Sequence, residues 1–245
     1  CPNDFLPSDT WFEKLVKLQH YGYATRLLDL TENVLVALYF AVEDKRRSKK
    51  NGALIVLDIP NDDVKYGDSD TVAILSALSL QKEDFSISKK YLTMSKDELK
   101  NTIEPFNEDQ KIISLIHDIR ADKPSFRQVI NPGDLGRVLC VRAKLNNARI
   151  FRQQGCFLLF GIEGRKRKPA HIPDEWQCKK ADSDEKVKII IKNEFKEEIQ
   201  KELRSFSISK RNLFPELEKQ AEEIMSQYKP NKSESKSQTT SESSQ

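Results

Sequence analysis

Apolar residues in the first forty positions recur twice at helical spacing. Between residues 11 and 19, Phe12, Leu15, Val16 and Leu18 follow that period, with Ser8, Asp9 or Thr10 available as N-cap. A turn is expected around Gly22. Thr31-Glu32-Asn33 then opens a second helix through Val34-Leu-Val-Ala-Leu-Tyr-Phe-Ala-Val42, in which Thr31 is available as the cap. This helix is apolar nearly all round, needs cover on most sides, and is therefore expected at the centre of the core. After a basic, polar break, Ala53-Leu-Ile-Val-Leu-Asp-Ile59 reads as a buried strand stopped by Pro60.

Further along, the period predicts helices over 71–80, 96–104 and 108–120, the last with Ile112, Ile113, Leu115, Ile116 and Ile119 on its apolar side. Residues 61–130 thus read as a helical insertion over a sheet. Strands are expected at Val138 to Val141, Ile150-Phe151 and Phe157 to Ile162, on either side of a Gln-Gln-Gly turn, and again at Val187 to Ile191. Phe195, Ile199 and Leu203 mark a charged amphipathic helix over 194–206, and Leu217, Ala221, Ile224 and Met225 a final helix from about Pro215. Residues 229–245 hold no large apolar side chain and are expected to form a disordered tail.

Charge and composition narrow the class. Lysine and arginine number 41 against 38 acidic residues, a formal charge of +3, too balanced for net charge to imply a nucleic-acid partner. Mean hydropathy is −0.63, and the longest apolar run is about half of the roughly 20 residues that a spanning helix needs. No membrane partner is expected. Four scattered cysteines and three scattered histidines form neither a metal motif nor a disulfide framework, so no metal is assigned and a cytoplasmic setting is expected. Cys1 stands where a methionine would, without a signal-like segment after it, which reads as a fragment or processed chain, with a lipidated cysteine as the alternative. Arg165-Lys-Arg-Lys168 reads as a solvated loop in preference to a phosphate clamp.

The densest chemistry lies in Gln19-His-Tyr-Gly-Tyr-Ala-Thr-Arg-Leu-Leu-Asp-Leu-Thr31, where polar, charged and aromatic groups sit between two apolar elements. Gly22 permits a tight turn, and Arg26 and Asp29 are close enough in sequence to pair. A structural role is the reading the segment alone favours, with Arg26–Asp29 as an ion pair fixing the loop and Gln19 and His20 bonded to backbone. Gln153 and Gln154 can likewise be a polar pair at a bulge, and Arg149 a surface ion-pair partner.

This segment resembles the signature of the FRG domain family, a Gln-His-Tyr-Gly-Leu-Pro-Thr-Arg-Leu-Leu-Asp-Trp-Thr type motif. Asn33 to Ala41 is similar to the family's next helix, Arg149-Ile-Phe-Arg-Gln153-Gln-Gly155-Cys-Phe157 to its Gln-x-Gly-x-Phe element, and Leu213-Phe-Pro-Glu-Leu217 to its closing pattern. Tyr23-Ala24 replaces the usual Leu-Pro, and Leu30 the frequent tryptophan. No Phe-Arg-Gly or Tyr-Arg-Gly precedes Gln19, so the domain is expected to be N-terminally incomplete.

The resemblance implies a distant relation to ADP-ribosyltransferases, whose late strand carries a catalytic acid; here that place holds Gln153, with Glu163 nearby in sequence. It makes Gln153 and His20 the catalytic candidates and NAD the candidate cofactor. The ligand set is Gln19, His20, Tyr21, Thr25, Arg26, Asp29, Thr31, Arg149 and Gln153. In it Arg26 contacts phosphate, His20 and Tyr21 line the base or nicotinamide cleft, Asp29 orients Arg26, and Gln153 bonds a ribose hydroxyl. Fold class is α+β: a small bent mixed sheet from residues 53–59, 138–143, 150–162 and 187–192 on helices, in one domain over 1–228 with its insertion at about 61–130. Two functions stay open: a nucleotide- or NAD-binding effector of bacterial toxin or anti-phage type, and a non-catalytic domain that recognises a protein or nucleic acid.

Overall fold

The computed structural model describes residues 5–44, 49–144, 147–180 and 184–215. Along these the chain runs α1 (Trp11–His20), β1 (Leu27–Thr31), α2 (Val34–Glu43), β2 (Gly52–Ile55), β3 (Val64–Tyr66), α3 (Asp70–Ala77), α4 (Lys96–Lys100), α5 (Ile103–Asn107) and α6 (Gln110–Asp122). It continues through β4 (Val138–Arg142), α7 (Ala148–Gln153), β5 (Gly155–Phe160), β6 (Lys188–Ile191), α8 (Lys196–Ser205) and α9 (Lys210–Leu213). The fold is α+β. The helix starts follow local chemistry: of the three cap candidates before α1, Thr10 accepts from the Glu13 N–H while the Glu13 carboxylate accepts from the Thr10 N–H, 2.8 Å away. Asp109 caps α6, which buries Ile112, Leu115, Ile116 and Ile119 as its period requires.

Four strands form the main sheet in the order β1–β5–β4–β3, antiparallel except for the parallel β3–β4 pair. Leu27 stands opposite Leu159 and Thr31 opposite Gly155, while Leu139 flanks Leu159 from the other side. Leu139, Val141, Phe157 and Leu159 enter the helical core with α1, α3 and α6; Val138, Cys140, Cys156 and Leu158 face a second cluster closed by Ala170 and Trp176. Burial on both faces explains why β4 and β5 read as continuous apolar runs.

Several expectations need correction. The main sheet takes β1 and β3, which the pattern did not mark, and excludes residues 53–59 and 187–192. Those pair with each other as a separate ribbon, Gly52 opposite Ile191 and Ile55 opposite Lys188, and β2 is only partly buried. Ile150-Phe151 is helical, not extended, because Asn147 accepts from the Arg149 and Ile150 N–H groups and starts α7. The helix expected over 96–104 is two short ones, α4 and α5. Residues 61–130 supply an edge strand and α3, whose Val72 to Ala77 are all buried, so this stretch builds the core and does not merely cover it.

The apolar helix α2 is not the centre. It buries Val36, Tyr39 and Val42 against Ile191, Leu203 and Leu213 in a side cluster, whereas Val34 is 66% and Phe40 43% exposed. Part of its apolar surface borders a cavity, described below, and not packed protein. In α8, Leu203 is buried and Ile199 half-buried as expected, while Phe195 precedes the helix and stays exposed. The final helix expected over Leu217 to Met225, the tail and Cys1 lie outside the described residues. Among the described residues no helix is long and apolar enough to cross a membrane.

The two helices separate under mutation. Leu75, fully buried in α3, is expected to cost about 3 kcal/mol when truncated to alanine, and Val34→Ala less than about 0.5 kcal/mol. Urea denaturation of the two variants compares them directly.

Candidate functional site

The chain reverses at the end of α1 because Gly22 takes a left-handed φ of 84° and its N–H donates to the Gln19 carbonyl at 2.9 Å. The reversal delivers the polar motif onto β1. There Gln19 Nε2 donates to Asp29 Oδ1 at 3.1 Å, and the Thr25 hydroxyl donates to Gln19 Oε1 while accepting from the Leu27 N–H. Gln19 and Thr25 therefore lock helix to strand.

Arg26 does not pair with Asp29. Its guanidinium donates to the Phe160 carbonyl at 2.7 Å, and burial pushes its pKa down to about 10. Extended chain rises about 3.3 Å per residue and alternates faces, so side chains three positions apart diverge. Thr31 likewise does not cap α2. Asn33 does, accepting from the Leu35 and Val36 N–H groups; the Thr31 hydroxyl accepts from the Asn33 N–H and donates to the Gln153 carbonyl at 2.7 Å. Tyr21 is 56% exposed beside Phe5.

From the other segment, α7 ends at Gln154 in the left-handed conformation, with φ 45° and ψ 47°. Gln153 is thereby placed at the junction with β5, and its Nε2 donates to the Leu213 carbonyl at 3.1 Å. The Arg149 guanidinium lies over the Phe214 ring, 4.8 Å from its centroid.

These elements enclose a cavity of about 410 Å³, within the range of about 300–1,000 Å³ usual for small-molecule sites. His20, Asp29, Thr31, Arg149 and Gln153 line it together with the apolar Leu30, Ala37, Phe40 and Ile55. Gln19, Tyr21, Thr25 and Arg26 do not. The walls from α2 and β2 were not marked in advance as site residues; their signal was an excess of apolar side chains on α2 beyond what a packed face uses. Cys156 also lines the cavity. Its thiol is pushed above the ordinary range by its contact with Cys140 and by burial.

Glu163 lies beyond the far end of β5, away from this cavity, held by Lys89 at 2.5 Å, Lys168 at 2.9 Å and His171 at 3.2 Å. The carboxylate that borders the cavity is Asp29. Within the basic run, Lys166 turns inward onto the Ser79 and Gln81 carbonyls, while Arg165, Arg167 and Lys168 are exposed. Among the described residues no group of three or more potential ligands could hold a metal ion.

The family model of the FRG domain matches residues 4–50, the stretch that contains α1, the reversal, β1 and α2. The resemblance drawn from Gln19 to Thr31 and Asn33 to Ala41 is borne out over that segment. No curated protein and no solved structure matches the chain.

Hydrogen bonds from Lys89 and Lys168 hold the Glu163 carboxyl at about 2, below its ordinary 4.5. A depressed folded-state pKa stabilises the fold above about 4.5 and the contribution is lost as pH falls towards about 2. The difference in thermal midpoint between the parent and Glu163→Gln is therefore expected to shrink across that window, as differential scanning calorimetry at stepped pH would record.

Proposed function

We propose that the cavity between β1, α2 and α7 binds a nucleotide-type ligand of the NAD class, in a cytosolic bacterial effector of toxin or anti-phage type related to ADP-ribosyltransferases. One observation carries this reading: polar groups from two segments more than a hundred residues apart line a single cavity with an apolar wall. Its lining holds one guanidinium, one carboxylate, an imidazole and neutral hydrogen-bonding groups. That balance favours a ligand bearing both signs of charge over a polyanion. NAD combines a diphosphate with a cationic nicotinamide ring, whereas a nucleoside triphosphate brings more negative charge than one arginine offsets.

In this reading Arg149, not Arg26, binds phosphate, since Arg149 lines the cavity whereas Arg26 lies outside it on the Phe160 carbonyl. His20 and Phe40 border the ring. Gln153, whose amide nitrogen is engaged by Leu213, offers its Oε1 to a ribose hydroxyl. Transfer of ADP-ribose breaks the bond from ribose to nicotinamide, which leaves with the electron pair, and forms a bond from the anomeric carbon to an acceptor nucleophile or water; positive charge develops on the sugar between the two. A carboxylate beside it stabilises that charge, and Asp29 is the one the cavity supplies.

The second reading, a non-catalytic recognition domain, draws on the Thr25–Gln19–Asp29 chain and the Gln153–Leu213 bond, where motif residues serve the fold.

Calorimetric titration of the full chain with NAD, ADP-ribose and ATP separates the two. NAD and ADP-ribose are expected to bind more tightly than ATP, and Arg149→Ala to weaken them about ten- to a hundredfold, the range for a lost charged hydrogen bond. Arg26→Met is expected to lower the thermal midpoint and leave the affinity unchanged. Failure of both NAD and ADP-ribose to bind, or unchanged binding by Arg149→Ala, overturns the proposal. Catalysis is read separately by nicotinamide release, expected from the parent and lost in Asp29→Asn with binding retained; equal release by both removes Asp29 from the chemistry.

A further inference from the structure

We infer that Phe214 is a positioning residue for the cavity, holding the ligand-binding guanidinium of Arg149 and the aromatic wall of Phe40 at a fixed separation. Phe214 does not line the cavity. It stands behind it, and both groups that rest on it face the ligand space. The Arg149 guanidinium carbon is 4.8 Å from the Phe214 ring centroid, and the Phe40 ring meets Phe214 edge-to-face, centroids 6.2 Å apart at 81°. A guanidinium over a ring face and a perpendicular second ring are the two arrangements that an aromatic quadrupole favours. Phe40 comes from α2 and Arg149 from α7, so the ring joins two of the elements that line the site.

The segment carrying Phe214 is itself fastened to α7. Gln153 Nε2 donates to the Leu213 carbonyl at 3.1 Å and Arg152 to the Asn212 carbonyl at 3.3 Å, while the Phe214 N–H donates to the Lys210 carbonyl at 2.9 Å. Two successive carbonyls of one short segment thus bond two successive side chains of the helix that presents Arg149. This pins the ring in register with the guanidinium. A long, rotamer-rich arginine gains affinity for an anion when its orientation is set beforehand, and contact with a ring face helps to set it.

The inference rests on the nucleotide reading of the cavity for its ligand, and the test keeps the two apart. Phe214→Leu retains an apolar side chain but removes the ring; Phe214→Tyr retains the ring. With ADP-ribose as probe, Phe214→Leu is expected to bind about three- to tenfold more weakly than the parent, and Phe214→Tyr to recover affinity to within about twofold. In ligand-free protein the Arg149 Nε–H resonance, assigned by its loss in Arg149→Lys, is expected to be displaced by the ring current in the parent and Phe214→Tyr and to relax in Phe214→Leu. Equal binding by Phe214→Leu and the parent, equal losses in Phe214→Leu and Phe214→Tyr, or an Arg149 resonance indifferent to Phe214→Leu overturns the positioning role. If the parent does not bind ADP-ribose, the nucleotide reading fails, and the resonance alone still decides whether Phe214 orients Arg149.

Discussion

The pairing of β1 with β5 sets everything else in this molecule. Leu27 to Thr31 align with Leu159 to Gly155, and the Thr31 hydroxyl closes the last step by donating to the Gln153 carbonyl. Side chains alternate along a strand with period two, so a slip of one residue would turn Leu27 out of the core and carry Asp29 and Thr31 to the opposite face. Burial on both faces of β5 makes such a slip costly. The cavity inherits its accuracy from that register, because its polar lining comes from the end of α1, from β1 and from the short helix between β4 and β5.

The density of polar groups between residues 19 and 31 conceals a division of labour. One subset joins α1 to β1 by side-chain hydrogen bonds and anchors Arg26 on a backbone carbonyl; another subset reaches the cavity. Both follow from how polar groups behave when apolar elements converge: a buried donor without an acceptor is costly, so each finds one nearby. Arg26 illustrates the result. A cation in a functional-looking motif is engaged by the Phe160 carbonyl, and burial lowers its affinity for a proton. Arg149, far along the chain in the second of the two motif-like segments, is the arginine that borders the cavity.

α2 shows the complementary effect for apolar residues. Its composition asks for cover on every side, yet the helix lies beside the main core, against the ribbon of β2 and β6 and against α8. Ala37 and Phe40 border the cavity. Apolar surface that is neither packed nor needed for the core is what a ligand wall requires, and hydrophobic periodicity cannot distinguish the two uses.

Local rules decided much of what the chain does. The cap at Thr10, the turn at Gly22, the apolar stripe of α6 and the apolar runs of β4 and β5 were legible in the sequence along with the helical and extended character of the fold, whereas the cap of α2 was read at Thr31 and is supplied by Asn33. Tertiary structure decided the rest. β1 is five residues broken by Asp29 and becomes a strand only because β5 offers it partners. Which motif side chains meet the cavity depended on strand register, and the support of Arg149 by Phe214 on contacts 65 positions apart. Sequence spacing carries no record of such separations, since the free energy that selects them comes from burying surfaces that are distant along the chain.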